Sequence, residues 1–126
     1  LPEDDIQTMN DTLNMALDMP TEHANFYACV ALPGSPIYLD AKRNSINIPN
    51  HNEYEKFAFL SYEHVPLATK YCTSEEVLSF RDKAWEKYFS NPIYLEFLQK
   101  RLGSIAKDNV VKMSNIKLKR KILEKN

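Results

Sequence analysis

Residues 25–32 read Asn-Phe-Tyr-Ala-Cys-Val-Ala-Leu, and the fold turns on how this run is read. Apolar residues follow one another without the alternation of a half-buried strand. A short continuous run of this kind predicts a strand buried on both faces. Such strands belong in parallel sheets covered by helices. Pro33-Gly34 follows as a turn. Ser35 can then cap a short helix with Pro36 at its first position and Ile37, Tyr38 and Ala41 on its inner face.

Helices flank this run. Upstream, residues 4–19 predict a helix, with Glu3, Asp4 and Asp5 at the end where the helix dipole favours acids. Ile6, Met9, Leu13, Ala16 and Leu17 recur at helical spacing, and Pro20 ends the element. Downstream, residues 44–53 read as loop, and residues 54–72, rich in Tyr and Phe, as extended or irregular structure. Thr73-Ser-Glu-Glu76 matches a capping box. The helix it opens carries Val77, Leu78, Phe80, Ala84, Trp85, Tyr88 and Phe89. Asn91-Pro92 starts another helix, with Tyr94, Leu95, Leu98 and Leu102 inward and Gly103 at its end. A last helix from Ser104 is expected to carry Val111, Met113, Leu118 and Ile122.

With 126 residues, 44% apolar and 26% charged, the chain has the makings of one ordinary domain. It has two glycines where average usage gives about nine. That shortage excludes a glycine-rich phosphate loop. Cys29 and Cys72 cannot form a C-x-x-C site, and their small number favours a reducing, cytoplasmic setting. No stretch approaches the ~18 apolar residues of a membrane span.

The net charge of −1 hides a gradient. Residues 1–24 hold six acids and no Lys or Arg, whereas residues 104–126 hold seven bases and two acids. The basic end is read as a solvated helical face rather than a nucleic-acid or anionic-lipid contact, because apolar residues still run through it.

One strand among four or five helices needs neighbours. The chain also opens on Leu1-Pro2 without a methionine. The expectation is therefore a slice of a longer protein, whose bare strand edge pairs with a second copy or is covered by helices.

Several motifs resemble one family. Leu1-Pro2-Glu3-Asp4-Asp5, followed by a helix with Thr8 and Thr12, looks like the segment after the fifth strand of a radical S-adenosylmethionine enzyme. Residues 25–38, ending Leu32-Pro33-Gly34-Ser35-Pro36-Ile37-Tyr38, resemble the sixth strand and its exit. Leu67-Ala68-Thr69-Lys70-Tyr71, Glu76 to Ala84 with its Phe80-Arg81-Asp82, and Tyr88 to Leu95 with its Asn91-Pro92-Ile93-Tyr94-Leu95 are similar to a C-terminal extension of the cobalamin-binding branch. That branch of Fe–S oxidoreductases includes the anaerobic magnesium-protoporphyrin IX monomethyl ester cyclase.

The resemblance implies a mainly α fold with one or few strands: the end of a partial (β/α) barrel, then a helical extension. Residues 1–43 would be the last helix–strand unit, 44–72 an aromatic-rich connector or substrate lid, and 73–126 the extension. Leu1, Pro2, Ala31, Leu32, Pro33 and Gly34 would face the cofactor in the parent, since barrel sites lie at strand C-terminal ends. The cofactors implied are a [4Fe–4S] cluster, S-adenosylmethionine and, for the branch, cobalamin. This chain has neither the C-x-x-x-C-x-x-C cluster motif nor a D-x-H-x-x-G cobalamin motif. Both would lie upstream, so upstream domains of the same parent are the expected partners, and this stretch would not be catalytic alone. The alternative is an autonomous helical interaction module with a basic C-terminal helix.

Single residues divide between readings. His23, His51 and His64 are scattered and read as surface or loop histidines rather than metal ligands. Cys29 reads as a small core residue or as a thiol facing a ligand. Arg81 reads as a local ion pair that snorkels against Trp85, or as an anchor for a substrate carboxylate.

Overall fold

A computed structural model describes residues 1–124. The elements are α1 (Ile6–Asp18), α2 (Pro36–Arg43), α3 (Tyr54–Phe57), α4 (Ser74–Phe89), α5 (Pro92–Leu102), α6 (Ser104–Ser114) and a 3-10 turn (Lys121–Leu123). The fold is mainly helical, as expected, and no strand forms among the described residues.

The helix ends follow the local chemistry. Asp5 and Thr8 form a reciprocal capping box at the start of α1. Ser35 accepts from the Tyr38 N–H, and Pro36 opens α2. The Thr73 hydroxyl accepts from the Glu76 N–H (3.2 Å), and Glu76 accepts in return from the Thr73 N–H (2.8 Å). Asn91 caps α5, and Gly103 ends it at φ +89°, a conformation that disfavours residues with a Cβ.

The larger core lies where α4 and α5 meet. Tyr88, Phe89, Tyr94 and Leu98 are all buried there, with Ala16, Leu17, Trp85 and Met113 packed around them. The Phe89 and Tyr94 rings meet edge-on, with centroids 5.5 Å apart. Both tyrosine hydroxyls reach back to the chain after α1: Tyr88 donates to the Thr21 carbonyl and Tyr94 to the Glu22 carbonyl. A smaller core gathers Ala31, Tyr38, Ala41 and Leu67. The Tyr38 hydroxyl is buried there without a hydrogen-bond partner.

Two expectations are corrected. Residues 25–32 form no strand. A strand needs a ladder, and the segment alongside supplies one backbone bond, from the Leu67 N–H to the Cys29 carbonyl (2.8 Å). Pro66, beside it, has no N–H to give. Nor is the run buried on both faces: Ala31 is buried, but Tyr27 is 63% exposed and Leu32 54%. The last helix also stops early, at Ser114. Residues 116–120 carry no helix, and Leu118 is exposed. Its four apolar positions are thus split between α6, an irregular stretch and the 3-10 turn. The end of the expected extension, residues 125–126, lies outside the described residues. The aromatic stretch 54–72 is irregular as expected, apart from the single turn of α3.

Two substitutions separate the cores. Phe89→Ala is expected to cost about 3–5 kcal/mol, because it opens a cavity among buried rings. Tyr38→Phe is expected to be neutral or stabilising by about 1 kcal/mol, since it removes an unpartnered buried hydroxyl. Urea unfolding midpoints of the two variants check both signs.

Candidate functional site

The residues expected to face a cofactor fall into two groups beside one segment. The Pro2 carbonyl accepts from the Lys70 N–H (2.8 Å). Leu1 lines a groove of about 220 Å³ between α1, α4 and residues 25–29. Ala31 packs on Leu67 in the smaller core. Residues 67–70 therefore touch both groups, from Pro2 at one end and from Ala31 at the other. Leu32, Pro33 and Gly34 lie exposed in the turn beyond Ala31, with Gly34 at φ +86°. Cys29 is half-buried, lines the same groove as Leu1, and packs against the smaller core.

The strongest concentration of charge lies elsewhere, and the sequence reading missed most of it. Arg120 is buried (3% exposed), although the basic tail was expected to be solvated. Its Nε donates to Asp82 Oδ2 (3.0 Å) and its Nη2 to Asp82 Oδ1 (3.1 Å). Its Nη1 donates to the carbonyls of Phe59 (2.8 Å) and Ser61 (3.0 Å). Arg81 comes to the same carboxylate from the other side, with Nη1 donating to Asp82 Oδ1 (2.8 Å). Its Nε donates to the Phe26 carbonyl (2.7 Å), and its guanidinium lies 5.1 Å from the Phe59 ring centroid. Arg81 thus does pair locally, but it stacks on Phe59 and holds the 25–32 run to α4.

His64 is a further correction: it lies in an irregular stretch, as a loop histidine would, but is buried at 1% exposure rather than at the surface. Its Nδ1 lies 3.2 Å from the Lys56 carbonyl. Burial, and then the positive charges of Arg120 and Arg81, hold its pKa below the ordinary 6.5; the Lys56 carbonyl and Asp82 pull weakly the other way. Burial also pushes the Asp82 carboxyl up, but the hydrogen bonds and charges of Arg120 and Arg81 outweigh it and leave the pKa below its ordinary value.

The remaining basic residues of the tail are partly absorbed as well. Lys117 pairs with Glu86 (2.6 Å) and Lys121 with Glu63 (2.9 Å). Among the described residues, no three His, Cys, Asp or Glu side chains gather as a metal cluster would require. Among the described residues no helix is long and apolar enough to cross a membrane. No protein-family model, curated protein or solved structure matches the chain.

Only Asp82 could have been suspected from sequence, through its neighbour Arg81. Arg120 and His64 carry no local mark, because their burial follows from where the tail and residues 56–64 come to lie.

The histidine gives the pH behaviour a sign. Its pKa is lower in the folded state, so the unfolded chain binds the extra proton. The stabilisation is full above about pH 6.5 and is lost as pH falls through the lower, folded value. The urea midpoint should therefore drop between about pH 8 and pH 5. His64→Gln should flatten that drop; an unchanged slope in the variant would refute the assignment.

Proposed function

We propose that this chain is the C-terminal part of a radical S-adenosylmethionine Fe–S oxidoreductase of the cobalamin-binding branch, similar to the magnesium-protoporphyrin IX monomethyl ester cyclases. It contributes an edge of the half-barrel and a helical cap, and it is not catalytic alone.

The observation that carries the reading is the state of the 25–32 run. None of the backbone N–H groups of residues 25–31 finds a hydrogen-bond partner among the described residues. Ala28, Cys29 and Val30 are nevertheless half-buried, and Ala31 is buried. A partly buried apolar run with unpaired amides has the needs of a strand whose neighbour lies elsewhere. An upstream barrel strand of the parent would meet those needs, and a second copy pairing at the same edge is the competing solution.

In this arrangement Leu1, Pro2 and residues 31–34 stand where the parent's cofactor face would be. Arg81 fixes the start of the run to the cap through the Phe26 carbonyl. The upstream part supplies the cluster, the S-adenosylmethionine site and any cobalamin, and the overall setting is cytoplasmic. The helical-module alternative loses support, because residues 116–120 are not helical and Arg120 is buried.

The test is made on the complete gene product that carries this chain. Its sequence before Leu1 should hold three cysteines at C-x-x-x-C-x-x-C spacing. After cluster reconstitution and reduction, the protein should release 5′-deoxyadenosine from S-adenosylmethionine. Absence of the three cysteines, or a reconstituted protein that leaves S-adenosylmethionine intact, would overturn the proposal.

A further inference from the structure

Residues 115–124 follow α6 as a strap that polar bonds, rather than burial, hold in place. Ile116 is 65% exposed and Leu118 40%, and only Arg120 in this stretch is buried. Two ties run to α4, from Arg120 to Asp82 and from Lys117 to Glu86. The others converge on residues 59–63. Arg120 Nη1 donates to the Phe59 and Ser61 carbonyls, and the Lys121 N–H to the Tyr62 carbonyl (3.0 Å). Lys121 Nζ pairs with Glu63, and the Tyr62 hydroxyl donates to Glu124 (2.7 Å). The strap also forms one wall of a groove, which Ile116 and Leu118 line together with Phe59, Leu60 and Trp85.

The stretch that receives the strap runs directly into the buried His64. The His64 backbone N–H donates to the Ser61 carbonyl (3.2 Å), the same oxygen that Arg120 uses. Its ring Nδ1 lies beside the Lys56 carbonyl. The charged groups that face the ring are Arg120 from the strap and Arg81 and Asp82 from α4. The nearby charges of its own stretch are engaged elsewhere, Lys56 with Glu53 and Glu63 with Lys121.

Two guanidiniums thus share one carboxylate. A proton on His64 sets three cations against that carboxylate, in a place nearly closed to water, where like charges repel strongly. Arg120 is the cation that can leave. Arg81 is held within α4 and by the Phe26 carbonyl, whereas Arg120 sits on a strap whose other residues are mostly exposed. The exposed pairs Lys117–Glu86 and Lys121–Glu63 contribute little to holding the strap.

We propose that residues 115–124 are an acid-released strap: a proton on His64 displaces Arg120 from Asp82 and opens the groove wall beside Trp85. At neutral pH the ring is uncharged and the strap is docked. In mild acid the ring takes its proton as the strap leaves. Asp82 stays ionised, because its carboxyl is held below the ordinary range, and it keeps Arg81. A histidine that is neutral under the docked strap and ordinary once it leaves shifts the docked-to-released ratio by up to about thirtyfold between about pH 6.5 and pH 5. The device is independent of the radical-enzyme reading, since every group in it lies within this sequence.

Amide exchange on the 126-residue protein follows the docking at the Lys121 N–H. Its protection factor should fall by about fivefold to thirtyfold from about pH 7 to pH 5. In His64→Gln it should change by less than about twofold. Equal protection at the two pH values in the unmutated protein, or an equal fall in a folded Gln variant, would overturn the proposal. Linkage supplies a second measurement that needs no change at His64. If the proton enters as the strap leaves, weaker docking must make the proton easier to add. Tyr62→Phe combined with Ile122→Ala loosens the strap without altering any charge, by removing the bond to Glu124 and a half-buried side chain. The His64 ring titration, followed by proton NMR, should then move up by about 0.5 pH or more. An unmoved midpoint would mean that the proton enters with the strap in place, and the proposal would fall.

Discussion

Asp82 stands between Arg81 and Arg120, and through these three side chains four stretches of the chain meet. Arg81 brings in the Phe26 carbonyl, Arg120 brings in the Phe59 and Ser61 carbonyls, and Asp82 fixes both arginines to α4. No strand ladder ties these segments together. The irregular parts of the chain depend instead on charge-assisted hydrogen bonds to backbone carbonyls. Such a knot is unforgiving. Removing one partner of a buried ion pair costs about 3–5 kcal/mol, because the other charge is left without compensation.

Elements whose cause is local were legible in the sequence. The Thr73–Glu76 capping box, the leading acids and Pro20 around α1, the Pro-opened helices and the Gly103 break are decided by a few adjacent residues, and α1, α2, α4 and α5 follow from them. The 25–32 run was misread for the opposite reason. Its apolar composition suits a buried strand, but a strand exists only by virtue of a partner, and Pro66 and the path of residues 64–69 leave one bond to share. The end of α6 failed similarly. The spacing of Leu118 and Ile122 continues a helix, yet Arg120 gains more from four hydrogen bonds in the protein interior than from a solvated helical face.

The candidate site was legible to a smaller degree. Of the six residues expected to face a cofactor, Pro2 and Ala31 touch residues 67–70, although nothing local in their sequence joins Pro2 to Lys70. Arg81 was visible as a candidate, but Arg120, which shares Asp82 with it, lies 39 positions away and Phe26, whose carbonyl it binds, lies 55 away. Long-range pairings of this kind have no periodicity to betray them. The functional reading and the charge knot are linked at Phe26. The same arginine that steadies the cap also fixes the start of the run with unpaired amides, and so sets the edge that a neighbouring strand would meet.

The dependence of the fold on Asp82 is tested most directly by amide hydrogen exchange on Asp82→Asn. The Lys121 N–H donates to the Tyr62 carbonyl, and the Leu67 N–H to the Cys29 carbonyl. Both amides lie outside the α-helices, next to the segments that the arginines hold. The account predicts that both lose protection in the variant while amides within α5 keep theirs. Unchanged protection at Lys121 and Leu67 would contradict it.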